Sequence, residues 1–263
     1  MNRIDERFNK LKQENKKALV TFLTVGDPNI EVSRQAVYAM QEEGVDLIEL
    51  GVPFSDPSAD GPTIQRADER ALAQGTDIFK VFDLVEKIRG DIEIPMVFLL
   101  YYNVMVQYGL EKFFERCRQT GIDGLIIPDL PYEESDEIKE FTEKYGVYQI
   151  NLVSPTSKNR IKDIAENSNG FLYCISSLGV TGEKSSFSTN FNEFVGTIKK
   201  YSRIPALVGF GVSNGKQVKD LTEYFDGVIV GSAVVKAIAE GDSTEERLNN
   251  LREKIKDLRT GLE

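Results

Sequence analysis

The strongest constraint on this chain is a rhythm. Short apolar, β-rich runs alternate with longer segments of helical period, and Gly, Pro, Asn or Asp stands at almost every junction. Eight runs read as strands, at residues 18–25, 46–51, 95–102, 124–128, 147–153, 170–176, 206–210 and 227–230. Between them, Leu110, Phe113, Phe114 and Cys117 recur at the spacing of a helix with one buried face, and Leu248, Leu251, Ile255 and Leu258 do the same. Continuous apolar strands, each followed by an amphipathic helix, predict a parallel sheet covered by helices. Eight such units in 263 residues predict one α/β domain, residues 1–263, closed as a (β/α)8 TIM barrel. A doubly wound open sheet is the structural alternative, but no GxGxxG follows the first strand.

Two additions to the rhythm are expected. Ile4, Phe8 and Leu11 predict an extra N-terminal helix over the N-terminal mouth of the barrel, and the interval after strand 2 has room for two helices, one of them extra. The phrases Gly44-Val45-Asp46, Gly121-Ile122-Asp123 and Asp226-Gly227 recur at helix-to-strand entries. They fit a barrel repeat.

Composition removes several function classes. The net charge of −10 speaks against a broad nucleic-acid or anionic-membrane surface. The N-terminus lacks the apolar core of a signal peptide, and no apolar run reaches the roughly 18 residues of a membrane span, so the cytoplasm is expected. Cys117 and Cys174 form no CxxC pair and are expected in the core, which leaves a zinc site or a disulfide without support. There is no histidine. Proton transfer must then fall to carboxylates, Lys, Tyr or Cys, and no metal site is expected.

Glu49 is the leading candidate for that work. Alternation along strand 2 places Leu47, Glu49 and Gly51 on one face, so Glu49 points into the barrel near its C-terminal, active end. Apolar neighbours would raise its pKa toward working pH. A buried ion pair is the competing role. The loop that follows, residues 53–62, is long for a βα turn and rich in bending residues. Within it Asp60 is a second acid-base candidate, with helix capping as its alternative, and Pro62 suits a first helical position.

The far strands carry the parts of a phosphate site. Gly209-Phe210-Gly211-Val212-Ser213 follows strand 7 and Gly231-Ser232-Ala233 follows strand 8, where such barrels frequently bind phosphate on backbone N–H groups. Tight turns and helix capping are the alternative roles. The loop at residues 179–190 is small, polar and long, which suits a lid or an ordinary surface loop.

Together the phrases LIELGVPFSDPSADGPTIQ, LGVTG, GFGVS and VGSAVVK resemble, in order, the motifs of the tryptophan synthase alpha chain family. The resemblance runs from the N-terminal helix to the last helix, and the first phrase is the most specific. It implies a (β/α)8 barrel that splits indole-3-glycerol phosphate into indole and glyceraldehyde 3-phosphate. By position, it assigns Glu49 to the general acid toward indole C3 and the base toward the glycerol hydroxyl, and Asp60 to the indole N–H. It also implies that Phe22, Leu100 and Tyr173 surround the indole or glycerol chain. Gly182, Phe210, Gly211, Gly231 and Ser232 match phosphate-binding positions, and Thr181 matches a lid threonine that meets the aspartate. Where the family commonly has a basic residue after Gly-Val-Thr-Gly, Glu183 intervenes and Lys184 supplies the charge. The resemblance implies no cofactor in this chain. It implies a partner beta chain that carries pyridoxal phosphate, in an α2β2 complex, with Asp56, Pro57 and residues 102–105 as contacts. A related phosphate-binding barrel, such as an isomerase or cyclising synthase, is the rival enzyme, and a ligand-binding switch without catalysis is the rival from another class.

Overall fold

The computed structural model describes residues 2–157, 160–175, 189–209 and 211–263. Nine strands form one parallel sheet: β1 (Ala18–Thr24), β2 (Leu47–Gly51), β3 (Met96–Leu99), β4 (Gly124–Ile126), β5 (Tyr148–Gln149), β6 (Leu152–Val153), β7 (Leu172–Ile175), β8 (Ala206–Gly209) and β9 (Gly227–Val230). Their order is β5-β4-β3-β2-β1-β9-β8-β7-β6.

The run expected as a single strand over residues 147–153 is divided. Tyr148 pairs with Gly124 of β4, whereas Leu152 pairs with Tyr173 of β7. The Ile150 N–H still bonds back to Leu125, but the Asn151 carbonyl already accepts the Tyr173 N–H. The chain thus changes partner within two residues, and the two end strands of the sheet are consecutive in sequence.

Alternation along the strands sorts the core into two layers. Val20, Leu47, Val97, Ile126, Phe171, Leu207 and Ile229 cluster on the inner face, while Leu19, Ile48, Leu50, Phe98, Leu172, Val208 and Val228 pack with the surrounding helices. The Arg3–Gln13 helix turns Ile4, Phe8 and Leu11 onto the inner cluster and closes its N-terminal end. Asn2 caps that helix by accepting the Ile4 N–H. Two helices, Pro62–Ala73 and Ile78–Ile88, lie between β2 and β3, and Pro62 occupies the first turn of its helix. Among the described residues no helix is long and apolar enough to cross a membrane.

The recurring aspartates act as clamps between neighbouring strands. The Asp46 carboxylate accepts the Leu19 N–H at 2.7 Å, Asp123 accepts that of Met96 at 3.0 Å, and Asp226 accepts that of Ala206 at 2.9 Å. Each aspartate returns its own N–H to the carbonyl of the same residue. Each therefore satisfies a donor that the start of a parallel strand would otherwise leave open. Arg7 bonds Asp46 through two nitrogens, and Arg3 and Arg89 flank Asp123. These charges sit at the N-terminal end of the sheet, away from the end where barrel active sites form.

Candidate active site

The strand register places Phe22, Glu49 and Val97 side by side on β1, β2 and β3. Glu49 is 1% exposed, and its Oε1 makes no hydrogen bond among the described residues. Burial alone pushes its pKa up to about 8, so at neutral pH it holds a proton. An unpartnered acid in an otherwise apolar layer is costly to keep.

One register step higher, two glycines open the inner face to aromatic rings. A Cβ on Gly51 would lie 2.4 Å from Phe22 Cζ, and one on Gly209 would lie 2.7 Å from the Tyr173 ring. Each ring thus lies across a position with no side chain. Tyr173 faces the acids, since burial first and then the charges of Glu49 and Asp60 push its hydroxyl well above its ordinary pKa. Gly209→Ala is expected to cost about 1–3 kcal/mol in urea denaturation by overpacking this seat. Adding Tyr173→Leu should recover most of that loss, and simple additivity of the two losses would refute the seating.

Asp60 is held above the strand ends by a residue from β3's far end. The Tyr101 hydroxyl donates to Asp60 Oδ2 at 2.7 Å and accepts the Ala59 N–H at 2.9 Å. The Phe54 ring stacks on Tyr101 with centroids 5.0 Å apart. Partial burial raises the Asp60 pKa, and the Tyr101 hydrogen bond opposes that rise. Asp60 does not cap the following helix, whose N-cap is Gly61 with no side-chain bond.

Phe22 lies against Ile64, Ala67 and Val235, with Leu99 beside them. Leu100 is placed differently. It is fully buried in the helix-facing core, and Leu99 is the leucine that joins Phe22 on the inner face. Alternation from Val97 carried that signal in the sequence. Tyr101 and Asp68, a buried carboxyl beside Asp60, also escaped sequence reasoning. An aspartate between Ala67 and Ala71 on a core-facing stripe was the available sign for Asp68.

Just beyond β9, a Cβ added at Gly231 would lie 3.8 Å from Phe22. The helix Ser232–Ala239 begins there with no side-chain cap, and Ser232 is exposed. Gly211 is exposed with φ +79°, the left-handed region that favours glycine. Ser213 bonds Gln217, and Asn214 rather than Ser213 caps the next helix. Thr181, Gly182, Phe210, Lys184 and the loop at 179–188 lie outside the described residues. Cys117 and Cys174 are free and buried, as expected of core residues.

Fold and site together define a class: parallel-stranded α/β proteins that gather buried carboxyls near the C-terminal ends of the strands. The family model described as tryptophan synthase alpha chain matches residues 8–263, and the chain belongs to that family. It is 49% identical over 259 residues to the tryptophan synthase alpha chain of Thermoanaerobacter sp. strain X514, covering 98% of this chain and 99% of the relative. With that of Clostridium kluyveri strain ATCC 8527 it shares 42% identity over 263 residues and the whole of both chains. A crystal structure of the tryptophan synthase alpha chain from Legionella pneumophila superposes with a TM-score of 0.88 at 35% identity, covering 100% of this chain and 97% of the other.

Proposed function

We propose that the chain cleaves indole-3-glycerol phosphate into indole and glyceraldehyde 3-phosphate by a retro-aldol reaction, as the lyase partner of a tryptophan synthase beta chain. The observation that carries this is Glu49: a buried carboxyl, protonated at neutral pH, on the inner face near the strand ends. Glu49 gives its proton to indole C3, which turns the ring into an electron sink. The resulting carboxylate takes the proton of the adjacent glycerol hydroxyl. That carbon becomes the aldehyde, its bond to C3 breaks, and the electron pair returns to the ring nitrogen, so Glu49 ends the cycle protonated. Asp60 accepts the indole N–H and stabilises the positive charge that develops there.

Phe22 and Tyr173 frame the ring and the glycerol chain, with Leu99 in the inner wall and Leu100 packed behind it. The phosphate is received by backbone groups at Gly211, Gly231 and Ser232, with Gly182 and Phe210 completing the set, while Thr181 meets Asp60. The single domain spans residues 1–263. The sheet closes as a (β/α)8 barrel because β5 and β6 are halves of one strand that bridges β4 and β7; the N-terminal helix and one of the two helices after β2 are additions to it. The chemistry needs no cofactor in this chain, and pyridoxal phosphate belongs to the beta chain of an α2β2 complex in the cytoplasm. Exposed Asp56, half-buried Pro57 and residues 102–105 form part of the contact with that beta chain.

Supplying indole-3-glycerol phosphate to the purified chain, with and without a tryptophan synthase beta chain, tests this directly. Indole release is expected in both, faster in the complex. No release in either refutes the lyase.

A further inference from the structure

The Pro62–Ala73 helix contains one buried residue that its own pattern does not explain. Its buried positions are Ile64, Ala67, Asp68 and Ala71, the core-facing stripe of an amphipathic helix. An aspartate on such a stripe must be hydrogen-bonded or neutral. Asp68 is 4% exposed. Its Oδ1 accepts the hydroxyl of Thr24, the last residue of β1, at 3.3 Å. The Phe54 N–H, in the loop after β2, faces the same carboxyl and opposes the rise of its pKa. Phe54 stacks on Tyr101, and Tyr101 donates to Asp60. One carboxyl thus joins β1, the β2 loop and, through two stacked rings, the hydroxyl that holds Asp60.

We propose that Asp68 is a positioning residue for Asp60, anchoring the loop that carries it and setting a second carboxyl beside it. This rests on the assignment of Asp60 to the indole N–H. The titratable groups facing Asp68 are Asp60, Asp27 and Tyr101, and Asp27 is engaged bidentately by Arg70 at 2.7 Å. Burial first, and then the charge of Asp60, raise Asp68 to about 7. At pH 6 Asp68 therefore carries a proton beside Asp60. Above neutrality Asp68 ionises, and the added negative charge deepens the potential where the ring nitrogen turns positive.

The test compares wild type, Asp68→Asn and Asp68→Ala in complex with the beta chain, with kcat and KM for indole-3-glycerol phosphate measured from pH 6 to 8.5. Asp68→Asn keeps the shape and loses the charge. Its kcat should fall about twofold at pH 6 and about tenfold at pH 8.5, with KM little changed. Asp68→Ala also frees the loop and should fall about tenfold or more at every pH. A ratio of Asp68→Asn to wild type that is constant with pH overturns the proposal, because a merely structural role has no reason to follow the ionisation. Carbon-13 NMR of the aspartate carboxyls gives a readout that needs no turnover. Asp60 should titrate in two steps in wild type and in one step in Asp68→Asn. One unchanged step in both overturns the proposal, whereas absence of indole release from wild type fails the lyase assignment instead.

Discussion

Replacing Glu49 by Gln is expected to lower kcat for indole-3-glycerol phosphate by roughly 10²–10⁴-fold while KM changes little. The amide keeps the volume of the side chain and cannot deliver the proton. An equal loss in binding and turnover would mean that Glu49 shapes the site rather than acting in it. The same variant should change the pH dependence of stability in a direction opposite to that of most carboxylates. In the folded chain Glu49 keeps its proton to about 8, whereas its ordinary value is 4.5. Between those values the unfolded chain binds fewer protons than the folded one, so this group makes wild-type stability fall as pH rises, by up to about 1.4 kcal/mol per pH unit. Gln has no such dependence. The stability of Glu49→Gln relative to wild type should therefore grow from pH 5 to pH 8 in urea melts, and a flat difference would show that Glu49 ionises freely in the fold.

The largest stability effect is expected at the other end of the sheet. Asp123 bonds Arg3 at 2.8 Å and the Met96 N–H at 3.0 Å, and lies 3.5 Å from Arg89. Burial lowers Arg89 to about 10 even with Asp123 beside it. Asp123→Ala leaves that cation buried without its carboxylate and opens the Met96 N–H, so a loss of about 3–5 kcal/mol is expected. Asp123→Asn retains an acceptor for Met96 and should lose less. Urea denaturation checks this through a lower midpoint at unchanged slope. Turnover per folded molecule should stay near wild type in both variants, because the clamp lies at the N-terminal end and the carboxylates of the site at the C-terminal end. A variant of normal stability with reduced turnover would contradict that division.

Much of this architecture is legible in the sequence alone. Strands and helices differ in period, and period is a property of a short stretch of one chain. The eight apolar runs, the inward face of Glu49 and the helix around Ile4, Phe8 and Leu11 follow from it. The motif phrases then supplied the family. The division of the 147–153 run was not legible, because nothing local says that Tyr148 bonds back to β4 while Leu152 bonds forward to β7. Leu100 shows the opposite case: the resemblance points to Leu100, whereas the period of two sets Leu99 on the face of Val97, where the fold has it.

The sequence by itself determined the alternating α/β order and put Glu49 on the inner face of β2, since both depend only on neighbours along the chain. It also determined which carboxylates were available, because there is no histidine to compete with them. Only the tertiary structure decided what those carboxylates meet. Tyr101 reaches Asp60 across 41 residues and Thr24 reaches Asp68 across 44. Gly209 gives room to a tyrosine from the neighbouring strand. The Glu49 pKa near 8 arises from a layer assembled by several strands at once. Hydrogen bonds and desolvation act through space over a few ångströms. Which distant residues come within that reach is fixed by register and packing, and those exist only in the folded chain.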